Sequence, residues 1–108
     1  INSTLEGEHR FVGHACEFET SLMMHLQPQL VDTSSLNAAG ELVTDNIEGM
    51  FISRDMRQRT NSGFTGRPDL ASAAKGEALF EGIVSKLEKL TIKMQDQILG
   101  ETYRDFSG

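Results

Sequence analysis

Apolar positions in this chain recur in two helical rhythms separated by a stretch without one. Phe18, Leu22, Met23, Leu26 and Leu30 are spaced near one helical turn and Pro28 breaks the series, which predicts an amphipathic helix from about Glu17 to Gln27. Leu79, Phe80, Ile83, Val84, Leu87, Leu90, Met94 and Ile98 form one continuous stripe, with Glu77, Glu81, Lys86, Glu88, Lys89, Lys93 and Asp96 on the remainder. This stripe predicts a second helix of about 28 residues from Ser72, about 40 Å long. Gly76 falls on the stripe, where the missing side chain lets a neighbour approach closely. Ahead of the first helix, EGEHRFVG from Glu6 to Gly13 reads as a short strand that delivers the chain to a turn. Between Val31 and Asp69, turn signals separate the apolar patches Leu42-Val43 and Met50-Phe51-Ile52, which predict one or two strands or a mobile loop. Gly63 to Pro68 reads as a loop, and the tail after Gly100 is expected to fray or to dock on a partner.

Two helices this apolar on one face, with so little strand between them, do not enclose each other easily. The longer one looks built to cover a sheet that mostly belongs elsewhere. The chain has 108 residues, enough for one small domain or part of a larger one, and it begins with Ile1 rather than Met. Both observations lead us to expect the later part of a longer polypeptide, or a chain completed by a companion.

Composition narrows the function classes. Ten basic against sixteen acidic side chains leave a net charge of −6, which argues against nucleic acid or an anionic membrane as partner. No run approaches the ~20 apolar residues that cross a bilayer, and the first residues are not a signal peptide. A lone cysteine, Cys16, excludes an internal disulfide and any multi-cysteine zinc knuckle. It fits a reducing compartment, and a cytoplasmic location is expected.

The chemistry is concentrated between Gly13 and Ser21, where an imidazole, a thiol, two carboxylates and two hydroxyls fall at the predicted turn into the first helix. Helix N-termini after strand ends are ligand sites in open α/β sheets, because backbone N–H groups point outward there. Glu17 and Glu19 are two residues apart, about 200° around a helix, so they do not share a face. His14 and Glu17 are placed to converge on one centre, the carboxylate as a metal ligand and the imidazole as ligand or proton carrier. The plainer alternative makes both glutamates first-turn acids favoured by the helix dipole and His14 a turn residue.

HACEFETSLMMHLQPQLVD, from His14 to Asp32, resembles the HAGExETS segment and following helix of the creatininase (creatinine amidohydrolase) family. GFTGRPDLASAAKGEALFEGIVSKL resembles that family's closing segment, a glycine-rich loop, an Ala-Ser step, Lys-Gly and a long terminal helix. The resemblance runs from His14 to about Leu90. It implies an α/β class: a three-layer α/β/α sandwich with a mostly parallel sheet, of which residues 1–108 would be the C-terminal portion, supplying the later strands and the long C-terminal helix. It also implies a metal-dependent hydrolase that cleaves an amide or related bond beside a carbonyl with water activated by a divalent metal (zinc, manganese or iron, one or two ions). In that pattern His14 is the proton shuttle and Glu17 a metal ligand. Cys16, Glu19, Thr20, Gly63 and Gly66 are expected around them, supporting the ligands or contacting substrate.

Two positions depart from the family pattern. Cys16 stands where glycine is usual, and is read as a small apolar filler, and Arg67 stands where Asp is common before the proline. The family's remaining ligand motifs (a Glu-x-His pair, an Asp and an Asn-Gly-His stretch) do not occur in these residues. A companion chain or N-terminal segment carrying them is therefore expected, together with a small-molecule substrate and a homo-oligomer. Two alternatives stand beside this reading, a non-catalytic assembly subunit of the same fold and a small helical module that docks through the Leu79 to Ile98 stripe. His9 and His25 read as surface or interface residues, and Arg54, Arg57 and Arg59 as part of a mixed-charge loop.

Overall fold

The computed structural model describes residues 3–7, 12–36, 39–41, 47, 49–50, 52 and 54–100. Two helices meet side by side in it. Helix α1 (Glu17–Leu26) ends at Gln27, ahead of a single 3-10 turn at Pro28–Leu30, where the proline cannot continue the ladder. A second 3-10 turn, Thr33–Ser35, is capped by Asp32, which accepts the N–H of Ser34. Helix α2 (Met56–Arg59) is one turn capped by Asp55. A 3-10 turn at Pro68–Leu70 leads to α3 (Ala73–Gly100), 28 residues long, with the Ser72 hydroxyl accepting the N–H of Lys75 at its start.

The helices agree with the hydrophobic rhythm, whereas the expected sandwich and its parallel sheet do not form among the described residues. There the strand pairing amounts to one isolated parallel bridge between Glu41 and Thr65. The physical reason is where the backbone donors go, since a strand needs a neighbour for each N–H. In the expected Glu6 to Gly13 strand, the N–H groups of Glu6 and Gly7 bond to the carboxylate of Glu17. The N–H of Gly13 goes to Cys16 Sγ. Among the described residues the 39–41 and 64–66 segments share two backbone bonds, Gly40 N–H to Gly66 O (2.7 Å) and Gly66 N–H to Glu41 O (3.2 Å). The predicted patch Leu42-Val43, residues 8–11 and Phe51 lie outside the described residues. The chain thus supplies the long C-terminal helix but, among the described residues, none of the later strands.

α1 and α3 approach so closely that a methyl group on Gly76 would lie 1.8 Å from the carbonyl oxygen of Ser21. Ser21 is fully buried there, and its hydroxyl accepts the N–H of Ser72 at 3.2 Å. One turn along, the rings of His25 and Phe80 sit 5.5 Å apart. Leu5, Cys16 and Leu79 are the buried apolar side chains among the described residues.

Because α1 is only about 15 Å long at 1.5 Å per residue, it covers only the first turns of α3. Beyond them the same stripe is open, with Leu87 58% and Ile98 63% exposed. No helix among the described residues is long and apolar enough to cross a membrane.

Gly76→Ala is expected to destabilise the chain by about 2 kcal/mol or more, because backbone cannot yield to the added methyl. Gly82→Ala, where nothing lies within 4 Å, is expected to gain about 0.5–1 kcal/mol from helix propensity. Urea midpoints of the two variants check the contrast.

Candidate functional site

The turn that carries His14 is built by its neighbours. Ala15 has φ +47, a left-handed conformation that costs an L-residue about 1 kcal/mol. It is held on both sides: its N–H donates to Glu19 Oε2, and its carbonyl accepts the hydroxyl of Thr20 at 3.1 Å. Glu19, three residues after the N-cap Cys16, thus reaches back as an acidic residue does in a capping box.

Thr65, 3% exposed, clamps His14. The His14 N–H donates to the Thr65 hydroxyl and the Thr65 N–H donates to the His14 carbonyl, both at 2.9 Å. Gly13 makes room for this, since a methyl there would lie 2.4 Å from the Thr65 hydroxyl oxygen. The backbone of His14 is fixed while its imidazole stays exposed.

Glu17 and Glu19 part as their spacing requires. Glu17, 3% exposed, points to the α3 side. Its Oε1 accepts from Glu6 N–H (2.9 Å) and Lys75 Nζ (2.8 Å), and its Oε2 from Gly7 N–H (2.8 Å). Lys75 Nζ also bonds to Glu6 Oε2 at 2.7 Å and to the carbonyl of Leu70 at 2.6 Å. Burial pushes the Glu17 carboxyl up, but the Lys75 ammonium and the two N–H groups outweigh it and hold it below the usual carboxylate range. Burial likewise pushes Lys75 down, and its hydrogen bonds to Glu17 and Glu6 raise it above its ordinary value.

Glu19 faces the other way, into a cavity of about 700 Å³ that it lines with His14 and Thr20. The apolar walls are Leu22, Met23 and Leu26 of α1, Leu30, Val31 and Leu36 after it, and Phe64 and Pro68 opposite. Of the residues expected around the centre, His14, Glu19 and Thr20 therefore share one cavity, and Glu17 stands away from it. Cys16 is buried as the N-cap, beside Gly66, whose added methyl would lie 3.5 Å from Cys16 Cβ. Gly63 (φ +90) sits on an open loop.

That loop is closed by a second carboxylate. Glu41 accepts from the Thr60 hydroxyl (2.5 Å), Asn61 N–H (2.9 Å) and the Ser62 hydroxyl (3.2 Å). These bonds, the Thr60 hydroxyl first, hold its carboxyl down at about 2. Arg67 is matched by Asp69 in a two-pronged pair with both N–O distances 2.8 Å, so its charge is answered within the turn.

Among the described residues, no three His, Cys, Asp or Glu side chains come together as ligands for a metal ion. The oxygens of Glu17 are already engaged by three donors, the N–H groups of Glu6 and Gly7 and the Lys75 ammonium. These residues therefore do not by themselves fit a metal centre.

Thr65, Lys75, Ser21 and Gly13 stand in the segments singled out from the sequence, but their roles as clamp, tether and close contact depend on the tertiary structure. A signal existed for one of them, since a Lys-Gly pair interrupting the first turn of an apolar stripe marks a charge that must find a partner.

The sequence model of the creatininase family, described as creatinine amidohydrolase, matches residues 2–91 of the chain. No curated protein and no solved structure matches it.

Glu17→Gln is expected to cost roughly 1–3 kcal/mol at neutral pH, because it removes the buried charge partner of Lys75 and leaves it the exposed Glu6 carboxylate and the Leu70 carbonyl. Glu17 is held below its unfolded value, so its contribution is present above about pH 4.5 and lost as pH falls through that value toward the folded one. Lys75 is raised, so its contribution is full below pH 10.5 and lost as pH rises past it. Urea midpoints across pH should show both losses in the natural chain, and E17Q should reduce the acidic one, the remainder belonging to Glu41 and Asp69, whose carboxyls are also held down.

Proposed function

We propose that this chain, which belongs to the creatininase family, takes part in hydrolysis of an amide or related bond beside a carbonyl, with His14 delivering a proton to the leaving nitrogen. The observation that carries this reading is the clamped turn. The His14 backbone is gripped by Thr65 while its imidazole stands free at the rim of a ligand-sized cavity. A general acid must reach the substrate from a fixed position, and the clamped turn gives the His14 imidazole one.

Divalent metal is typical of the family and serves to activate water and polarise the carbonyl. The described residues form no ligand set for it, so in this reading the ligands come from a companion chain or an N-terminal segment, with residues 1–108 as the C-terminal portion of the domain. Glu17 stays the tether of Lys75. The open stripe on α3 is surface available to that companion or to further copies in a homo-oligomer. The buried free thiol of Cys16 suits a reducing cytoplasm.

The test is native mass and metal content of the material isolated with this chain, followed by turnover on small amides. We expect a companion carrying the metal, and His14→Gln should lower kcat about 100-fold with little change in KM. Thr65→Val should act in the same direction by loosening the turn, with a smaller loss. A chain isolated alone and metal-free sinks this reading in favour of a non-catalytic assembly subunit, and an H14Q protein with an unchanged rate removes His14 from the reaction.

A further inference from the structure

Helix α1 is arranged against its own hydrophobic pattern. The side it buries on α3 is polar, carrying Glu17 and Ser21, while the apolar side carrying Met23 and Leu26 lines the cavity and is 39% and 45% exposed there. Exposed apolar side chains scattered singly need no explanation, but here they are contiguous and concave. They face Phe64 and Pro68 across the cavity, and Leu30, Val31 and Leu36 close a third side. Three segments wrapping one space describe a preformed ligand cleft better than a flat face for another protein, and about 700 Å³ lies in the range that holds small ligands.

The lining is also graded, since Asp32 and Ser35, the polar residues on the wall beyond α1, bond to each other (3.1 Å). His14, Glu19 and Thr20 gather at the N-terminal end of α1, where Glu19 and Thr20 both bond to Ala15. Met23 and Leu26 follow one and two turns later on the same side of the helix. A ligand that satisfies both ends carries a polar, hydrogen-bonding head and an apolar body.

We infer that the substrate is an amide with an apolar alkyl or aryl group, and that this group lies along the Met23 and Leu26 side of α1 while the amide sits at His14. The inference rests on the proposed role of His14 for the orientation of the ligand. The apolar cleft itself does not depend on that role.

The experiment is binding, so that it can be read without turnover. The material isolated with this chain, companion included, is titrated with the neutral fluorophore N-phenyl-1-naphthylamine, which is then displaced by acetamide, propanamide, butanamide and hexanamide. Affinity should rise about fourfold per added methylene. Leu26→Asn and Met23→Asn, both at exposed positions and checked for unchanged helix content, should each weaken hexanamide about tenfold, and H14Q should leave the slope of the series unaltered. A flat series, or indifference to both substitutions, overturns the inference. So does a native mass showing an oligomer that L26N dissociates, since a second copy then covers the cleft. Loss of turnover in H14Q bears only on the proposed reaction, which keeps the two failures apart.

Discussion

The buried pair of Glu17 and Lys75 is the constraint on which the rest of this chain depends. A carboxylate 3% exposed and an ammonium beside it carry a desolvation cost of several kcal/mol per ion, which their attraction offsets only when every remaining donor and acceptor is satisfied. Here they are satisfied from four separate segments. The N–H groups of Glu6 and Gly7 come from the N-terminal segment, Glu17 from α1, the carbonyl of Leu70 from the turn before α3, and Lys75 from α3 itself. With so few buried apolar side chains among the described residues, such a tie does by geometry what a larger core does by area. It ties the segments together, since each supplies a donor or acceptor to the same pair of charges.

From that tie the orientation of α1 follows. Turning Glu17 inward turns Ser21 inward one helical turn later, and Gly76 permits the contact because it has no side chain. The opposite side, with Glu19, Met23 and Leu26, is then necessarily outward. A helix normally hides its apolar stripe. This one gives the stripe to a cavity, and the turn bearing His14 stands at the end of it. Structural tie and candidate site are two sides of the same helix, separated by the angle between adjacent glutamate positions.

The 60–66 loop works on the same principle at the other wall. Glu41 gathers the Thr60 and Ser62 hydroxyls and the N–H of Asn61. The loop so closed presents Thr65 to His14 and Phe64 to the cavity. Carboxylates organise this chain twice, each by accepting backbone and hydroxyl donors that a sheet or helix would otherwise take up. The single Glu41 to Thr65 bridge marks how far strand pairing goes among the described residues once those donors are spent.

What the sequence by itself determined is local or carried by motif. Helix periodicity placed α1 and α3 within a residue or so of their observed ends, because hydrophobic spacing, Pro28 and the Ser72 cap act within a few residues along the chain. The His14 and Lys75-Gly76 segments carried the family, which the match over residues 2–91 bears out. The two-residue spacing of Glu17 and Glu19 sufficed to separate their directions. Tertiary structure alone decided which glutamate faces the cavity, that the apolar side of α1 is left open, and that the N–H groups of Glu6 and Gly7 serve a carboxylate rather than a strand. Those outcomes rest on partners 58 residues apart for Lys75 and Glu17 and 51 apart for Thr65 and His14. A hydrophobic pattern records how much of a helix prefers burial. It does not record that a charge elsewhere in the chain can claim the inward face first.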